Sequence, residues 1–204
     1  MRVQPDHKAK VVFIGSAGVG KTSIILRHDK RDFTYDVNST IGANFIHSTL
    51  VTHPTSKKVE MEIWDTAGNE RFACMMPMYL RRTNGVFIVY DVTNRDSFRD
   101  LTRWIGDLDR TCNMSQLIVI IIGNKIDLVN KRMVDEEEAR AFAENKGMLY
   151  GETSALNDQG IGEIMHKMAN ELVSRFQSLH LTSTTKSIDT VTVNTIDPDK
   201  HKCC

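Results

Sequence analysis

Residues 15–22 read G-S-A-G-V-G-K-T: glycine, four residues, glycine, lysine, then a hydroxyl residue. The run sits between the β-branched stretch Lys10 to Ile14 and the helix-forming stretch Lys21 to His28. A strand that turns through glycines into a helix N-terminus aims its backbone amides inward, which makes a natural anion site. Gly15 and Gly20 let the chain turn tightly and approach a phosphate. Lys21 can reach the outer phosphates, and the Thr22 hydroxyl can coordinate Mg²⁺. The candidate phosphate-binding set is Gly15, Ala17, Gly18, Val19, Gly20, Lys21, Thr22 and Ser23.

Periodicity along the rest of the chain places this loop in an alternating pattern. Phe45 to Thr52 and Lys58 to Trp64 read as strands joined by the turn signal H-P-T-S, and Val86 to Tyr90, Leu117 to Ile122 and Met148 to Gly151 as further strands. Ser97 to Arg110, Asp135 to Lys146 and Gly160 to Phe176 carry helical spacing. Strands alternating with helices imply an α/β fold, a mostly parallel sheet covered on both faces, with ligands at the carboxyl ends of its strands.

Composition narrows the function classes. Lys plus Arg and Asp plus Glu number 26 each, so charge gives no reason to expect nucleic-acid binding. No apolar run approaches the roughly 20 residues of a membrane helix, and the N-terminus has no signal-peptide stretch, so the expectation is a protein made and kept in the cytosol unless something is attached to it. Cys74 and Cys112 are isolated, which argues against a disulfide framework or a zinc site. From about Gln177 the periodicity stops and Ser and Thr dominate. That segment reads as a disordered tail over 177–204, after a domain over 1–176.

The unusual residues fall at strand ends. Asp65 to Gly68 (D-T-A-G) follows a strand; its acid stands where a Mg²⁺ site needs a carboxylate, and the Gly68 amide can come close to a γ-phosphate. Asn124 to Asp127 (N-K-I-D) chooses the base. A buried carboxylate on Asp127 accepts from the two guanine N–H donors, a pattern adenine does not offer, and the stem of Lys125 can cover the ring. Thr153 to Leu156 (T-S-A-L) offers a backbone amide to the guanine carbonyl. Each tetrapeptide alone reads as a polar loop; their order and their places at strand ends make them specific together. A P-loop ATPase or kinase is the competing reading, and N-K-I-D speaks against it.

These motifs, with the Thr40 segment S-T-I-G-A-N-F, W-D-T-A-G-N-E-R-F and E-T-S-A-L, resemble the Ras-like small GTPases over about Lys8 to Phe176, and the Rab branch in particular. The resemblance implies a P-loop NTPase G domain with a six-stranded mostly parallel sheet and helices on both faces. It implies GTP/GDP and Mg²⁺ as cofactors. It makes Thr22, Thr40 and Asp65 the metal-site residues, and Phe33, Thr40, Gly68, Asn124, Lys125, Asp127, Ser154, Ala155 and Leu156 nucleotide contacts beside the loop residues. Lys21, Gly68 and Asn69 would serve the chemistry. Ile41, Phe45, Trp64 and Tyr79 would face effectors. An exchange factor, an activating protein and a GDP-dissociation inhibitor are further implied partners. Cys203 and Cys204 look like a double prenylation signal on the tail, which would anchor the protein to the cytoplasmic face of endomembranes while it cycles with the cytosol.

Four departures qualify the resemblance. Asn69 stands where these GTPases carry the glutamine that positions the attacking water. It is one carbon–carbon bond shorter, about 1.5 Å, and a misplacement of ~1 Å can cost on the order of 100-fold in rate. Slow intrinsic hydrolysis is the expectation, with a GTP-loaded, poorly hydrolysing scaffold as the alternative. Ala17 replaces a common Ser. Leu156 replaces the usual Lys. Leu80 and Arg82 depart from the Tyr-Arg-Gly run that follows Tyr79 in Rab proteins.

Overall fold

The computed structural model describes residues 4–30, 40, 42–68 and 75–185, with side chains as far as 178. Six strands form one sheet: β1 (His7–Ile14), β2 (Ala43–Val51), β3 (Lys58–Thr66), β4 (Gly85–Asp91), β5 (Ile118–Asn124) and β6 (Leu149–Thr153). Their order is β2-β3-β1-β4-β5-β6. All neighbours are parallel except β2 and β3, which the H-P-T-S turn joins as a hairpin.

Burial explains which strands are central. Every residue of β4 and of β5 is buried, as a parallel strand covered on both faces requires. β2, at the sheet edge, alternates half-buried and exposed positions. On one face Val12, Ile14, Val86, Ile88, Val119 and Ile121 pack with α2 (Met76–Leu80), α3 (Arg95–Arg99), α4 (Leu101–Thr111) and α5 (Glu136–Asn145). Leu101, Trp104 and Leu108 point inward from α4, and each fully buried side chain contributes roughly 1.5–3 kcal/mol. The other face is covered by α1 (Lys21–Lys30), which buries Ile24 and Ile25, and by α6 (Ile161–Thr185) as far as Val173. There a methyl group on Gly85 would come within 2.5 Å of Met168 Sδ, so the helix lies close on the sheet.

Two expectations are corrected, and one helix is additional. The single helix expected over Ser97 to Arg110 is two. It starts early because the Asn94 side chain accepts from the amides of Asp96 and Ser97, and it steps at Asp100. The Asp100 carboxylate turns instead to the glycine loop. α2 was not foreseen: it has five residues, with a proline second, and is too short for a periodic signal. The last helix runs past the expected end at Phe176 to Thr185. The compact unit holding the sheet ends at Val173, and the rest of α6 belongs to a second unit. Arg82, at one of the departures from the Rab run, adopts φ +55°, a left-handed backbone that suits glycine better.

The sheet reverses its winding at β1, which has β3 on one side and β4 on the other. The carboxyl end of β1 is therefore the switch point where such folds hold their ligands, and the glycine loop starts there.

Candidate nucleotide site

Two groups of polar residues lie along the carboxyl ends of the strands. The first is built on β1, α1 and β3. The first helical bond of α1 runs from the Ile24 amide to the Gly20 carbonyl, which leaves the amides at the start of the helix to an outside acceptor. Lys21 is only 5% exposed, and its ammonium donates to the carbonyls of Gly15 (2.8 Å) and Ser16 (3.0 Å). Burial pushes its pKa down to about 8, against the pull of Asp65. Glycine is required at two close approaches. A Cβ on Gly68 would meet Lys21 Nζ at 2.5 Å and the Gly15 carbonyl at 2.6 Å, and one on Gly20 would meet Asn124 Nδ2 at 2.3 Å.

Three oxygens converge beside Lys21. Thr22 Oγ1 donates to Asp65 Oδ2 at 2.7 Å and lies 2.9 Å from Thr40 Oγ1, which is itself 3.3 Å from the same carboxylate oxygen. Burial raises the Asp65 pKa, opposed by the Thr22 hydroxyl, the Lys21 charge and the Thr40 hydroxyl. Asp65 Oδ1 is buried and has no hydrogen-bond partner among the described residues. An unpaired buried carboxylate oxygen beside two hydroxyls is a hard-oxygen set that suits a small divalent cation such as Mg²⁺.

The second group is built on β4, β5 and β6. The buried Asn124 amide donates to the Val19 carbonyl (2.9 Å) and accepts from Thr153 Oγ1 (3.0 Å). Lys125 takes φ +70°, and its ammonium pairs with Asp91 at 2.7 Å. Asp127 accepts from Ser154 Oγ at 2.6 Å, and Ser154 also accepts from the Asn157 amide and pairs its backbone with Gln159. Ala155 is buried and Leu156 half-buried.

A third feature lies on the sheet edge. Phe45 stacks on Trp64 with ring centroids 5.3 Å apart, and Trp64 leans on Tyr79 at 6.0 Å. Tyr79 is buried, but Phe45 is 49% exposed, which ordinary core packing does not account for. Trp64 is fixed by its indole N–H to Glu62 (2.6 Å) and by the Lys10 ammonium 4.5 Å over its ring.

The structure thus brings together Gly15, Val19, Gly20, Lys21, Thr22, Thr40, Asp65, Gly68 and Asn124, and groups Lys125, Asp127, Ser154, Ala155 and Leu156 at the far end. Ala17 and Gly18 are exposed at the tip of the loop, and Ser23 is half-buried in the first turn of α1. Phe33, Ile41, Asn69, Cys74, Cys203 and Cys204 lie outside the described residues. Sequence reasoning missed Asp91, Asp100 and Arg27. Asp91 ends β4 and was findable as an acid at a strand end. Ser16 Oγ donates to Asp100 at 2.6 Å, across 84 residues, with no local signal.

A strand–glycine loop–helix at the switch point, with a polar cluster at the ends of β5 and β6, defines a P-loop nucleotide-binding protein. The Ras family model matches residues 10–174. The chain is 39% identical over 169 residues to Ras-related protein Rab-17 of Mus musculus, covering 83% of this chain and 78% of that one. It is 38% identical over 193 residues to Ras-related protein Rab-1D of Dictyostelium discoideum, covering 93% and 92%. The chain belongs to the Ras family and, within it, to the Rab-type small GTPases, enzymes that bind guanine nucleotide and hydrolyse GTP.

Proposed function

We propose that the protein is a GTP/GDP-cycling switch of vesicular membrane trafficking whose own hydrolysis is slow. The phosphates lie against the amides of residues 18–22 and the Lys21 ammonium. Thr22, Thr40 and Asp65 would hold Mg²⁺, which would supply charge neutralisation on the outer phosphates. Asp127 accepts from the guanine N–H groups, the Ala155 amide donates to the guanine carbonyl, and Lys125 and Phe33 cover the ring. Water attacks the γ-phosphorus in line, the bond to the β-phosphate oxygen breaks, and GDP and phosphate leave.

The observation that carries the reading is the meeting of Thr40 with Thr22 and Asp65. Thr40 comes from a segment remote from the glycine loop, so a hydroxyl shared there lets the state of the phosphates decide where that segment sits. The aromatic run Phe45–Trp64–Tyr79, with Ile41, is then the face that effectors read. Exchange factor, activating protein and GDP-dissociation inhibitor act on the same segments. The tail 177–204 carries two prenyl groups on Cys203 and Cys204, and the protein cycles between cytosol and the cytoplasmic face of endomembranes. No helix among the described residues is long and apolar enough to cross a membrane. Two lipids would suffice for stable attachment, where one chain binds only marginally.

Asn69 favours a second reading, a GTP-loaded scaffold that scarcely turns over. Single-turnover hydrolysis by wild type and Asn69→Gln separates the two. The variant should be faster by about 10- to 100-fold if the short amide leaves the water misplaced. An ordinary wild-type rate with no gain in the variant sinks the slow-hydrolysis reading.

A further inference from the structure

We infer that Arg27 is a positioning residue for guanine recognition. From helix α1 it grips the turn at Ala155 and Leu156 and keeps the Ala155 amide aimed at the base carbonyl. The inference rests on the base-site reading above and adds to it a residue that none of the sequence motifs includes.

The contact is a fork. Arg27 Nε donates to the Ala155 carbonyl at 2.7 Å and a terminal guanidinium nitrogen donates to the Leu156 carbonyl at 2.9 Å. A planar guanidinium bonded to two successive carbonyls fixes the orientation of the peptide planes it spans, which a single flexible donor cannot do. The turn is held on its other side as well. The Ser154 backbone pairs with Gln159, and its hydroxyl donates to Asp127 at 2.6 Å. The peptide between Ser154 and Ala155, which carries the amide in question, therefore lies between two holds: Ser154 on the Asp127 side before it, and the Ala155 carbonyl bonded by Arg27 directly after it.

The place of Arg27 on the helix gives the grip its meaning. α1 begins at Lys21, and six residues of helix rise about 9 Å. One rigid rod thus starts at the phosphate end and finishes at the base end. The grip also uses only carbonyls, which every residue possesses. That accounts for Leu156 standing where relatives have Lys: the side chain at this position is not what holds the turn.

The test measures dissociation of three diphosphates from the full-length protein: GDP, inosine diphosphate and 6-thioguanosine diphosphate. The inosine nucleotide lacks the amino group read by Asp127. The thio nucleotide changes only the carbonyl read by the Ala155 amide, and sulfur is a weak acceptor. Wild type should prefer GDP over the thio nucleotide by roughly ten-fold, one good hydrogen bond. In Arg27→Met that preference should fall toward unity while the preference for GDP over the inosine nucleotide stays. Arg27→Lys, which keeps the charge and loses the fork, should lie between. A merely structural role would loosen all three nucleotides alike. If both preferences fall together, or if the thio preference is untouched, Arg27 only supports the fold and the inference is overturned. Should Arg27→Met not fold, the same two ratios in Arg27→Lys decide. If wild type itself does not discriminate against the thio nucleotide, the base-site reading has failed first, and this inference goes with it.

Discussion

At the glycine-loop end, Lys21 and Asp65 are opposite charges, each 5% exposed, and each is held by backbone carbonyls or hydroxyls of its neighbours. At the far end, around Asn124, Ser154 and Ala155, the buried groups are neutral amides and hydroxyls, with Asp91 the one buried charge among the described residues there. That charge is answered at 2.7 Å by Lys125, whose side chain is 33% exposed. Buried charge is costly, and it acts strongly on whatever charge arrives. Neutral hydrogen bonds in a packed setting do less to a charge and more to a shape. On the proposed reading, the comparison teaches that the first end would act on phosphate and the second would tell one ring from another.

Substitutions should separate along that line, and the largest effect belongs to the first end. Lys21→Met removes a buried charge opposite Asp65 and should weaken nucleotide binding by on the order of 1,000-fold, measured by fluorescence titration, without altering preference among purines. A change in base preference instead would break the comparison. Asp127→Asn comes next. It removes charge-assisted acceptance from two guanine donors and should cost about 100-fold in GDP affinity. Xanthosine diphosphate, whose base presents a carbonyl where guanine has its amino group, should gain, and competition between the two nucleotides reads the switch. A uniform loss for both would mean the far end holds the ligand without reading it. Leu156→Lys should be smallest, within about two-fold in GDP dissociation rate, because the turn is held through its backbone. A larger gain in affinity would give that side chain a role the fork does not explain.

The sequence made the first end almost fully legible and the second end only partly. G-S-A-G-V-G-K-T and D-T-A-G are local runs whose residues act near where they stand, so spacing alone located Lys21, Thr22, Asp65 and Gly68. The strands were legible to within a few residues because β4 and β5 are continuous apolar runs. What escaped depends on contacts between distant segments. Arg27 reaches 128 residues ahead to Ala155, and Asp100 reaches back 84 residues to Ser16. Nothing in the composition of either helix marks those residues out. The step at Asp100 escaped for the same reason: apolar spacing continues through it, and only the carboxylate's partner across the crevice reveals why the chain turns there.

The Asn124 amide donates to the glycine loop with one arm and accepts from Thr153 with the other, and Gly20 passes so close to it that no side chain would fit between. The two ends of the crevice are therefore bolted to a common post, and their separation is set by the covalent dimensions of a single side chain rather than by the give of a loop. A gap of fixed width is a gauge. On the proposed reading it would admit a base and a phosphate chain joined by one sugar and leave a longer or shorter connector out of register at one end, a selection by length that precedes selection by ring.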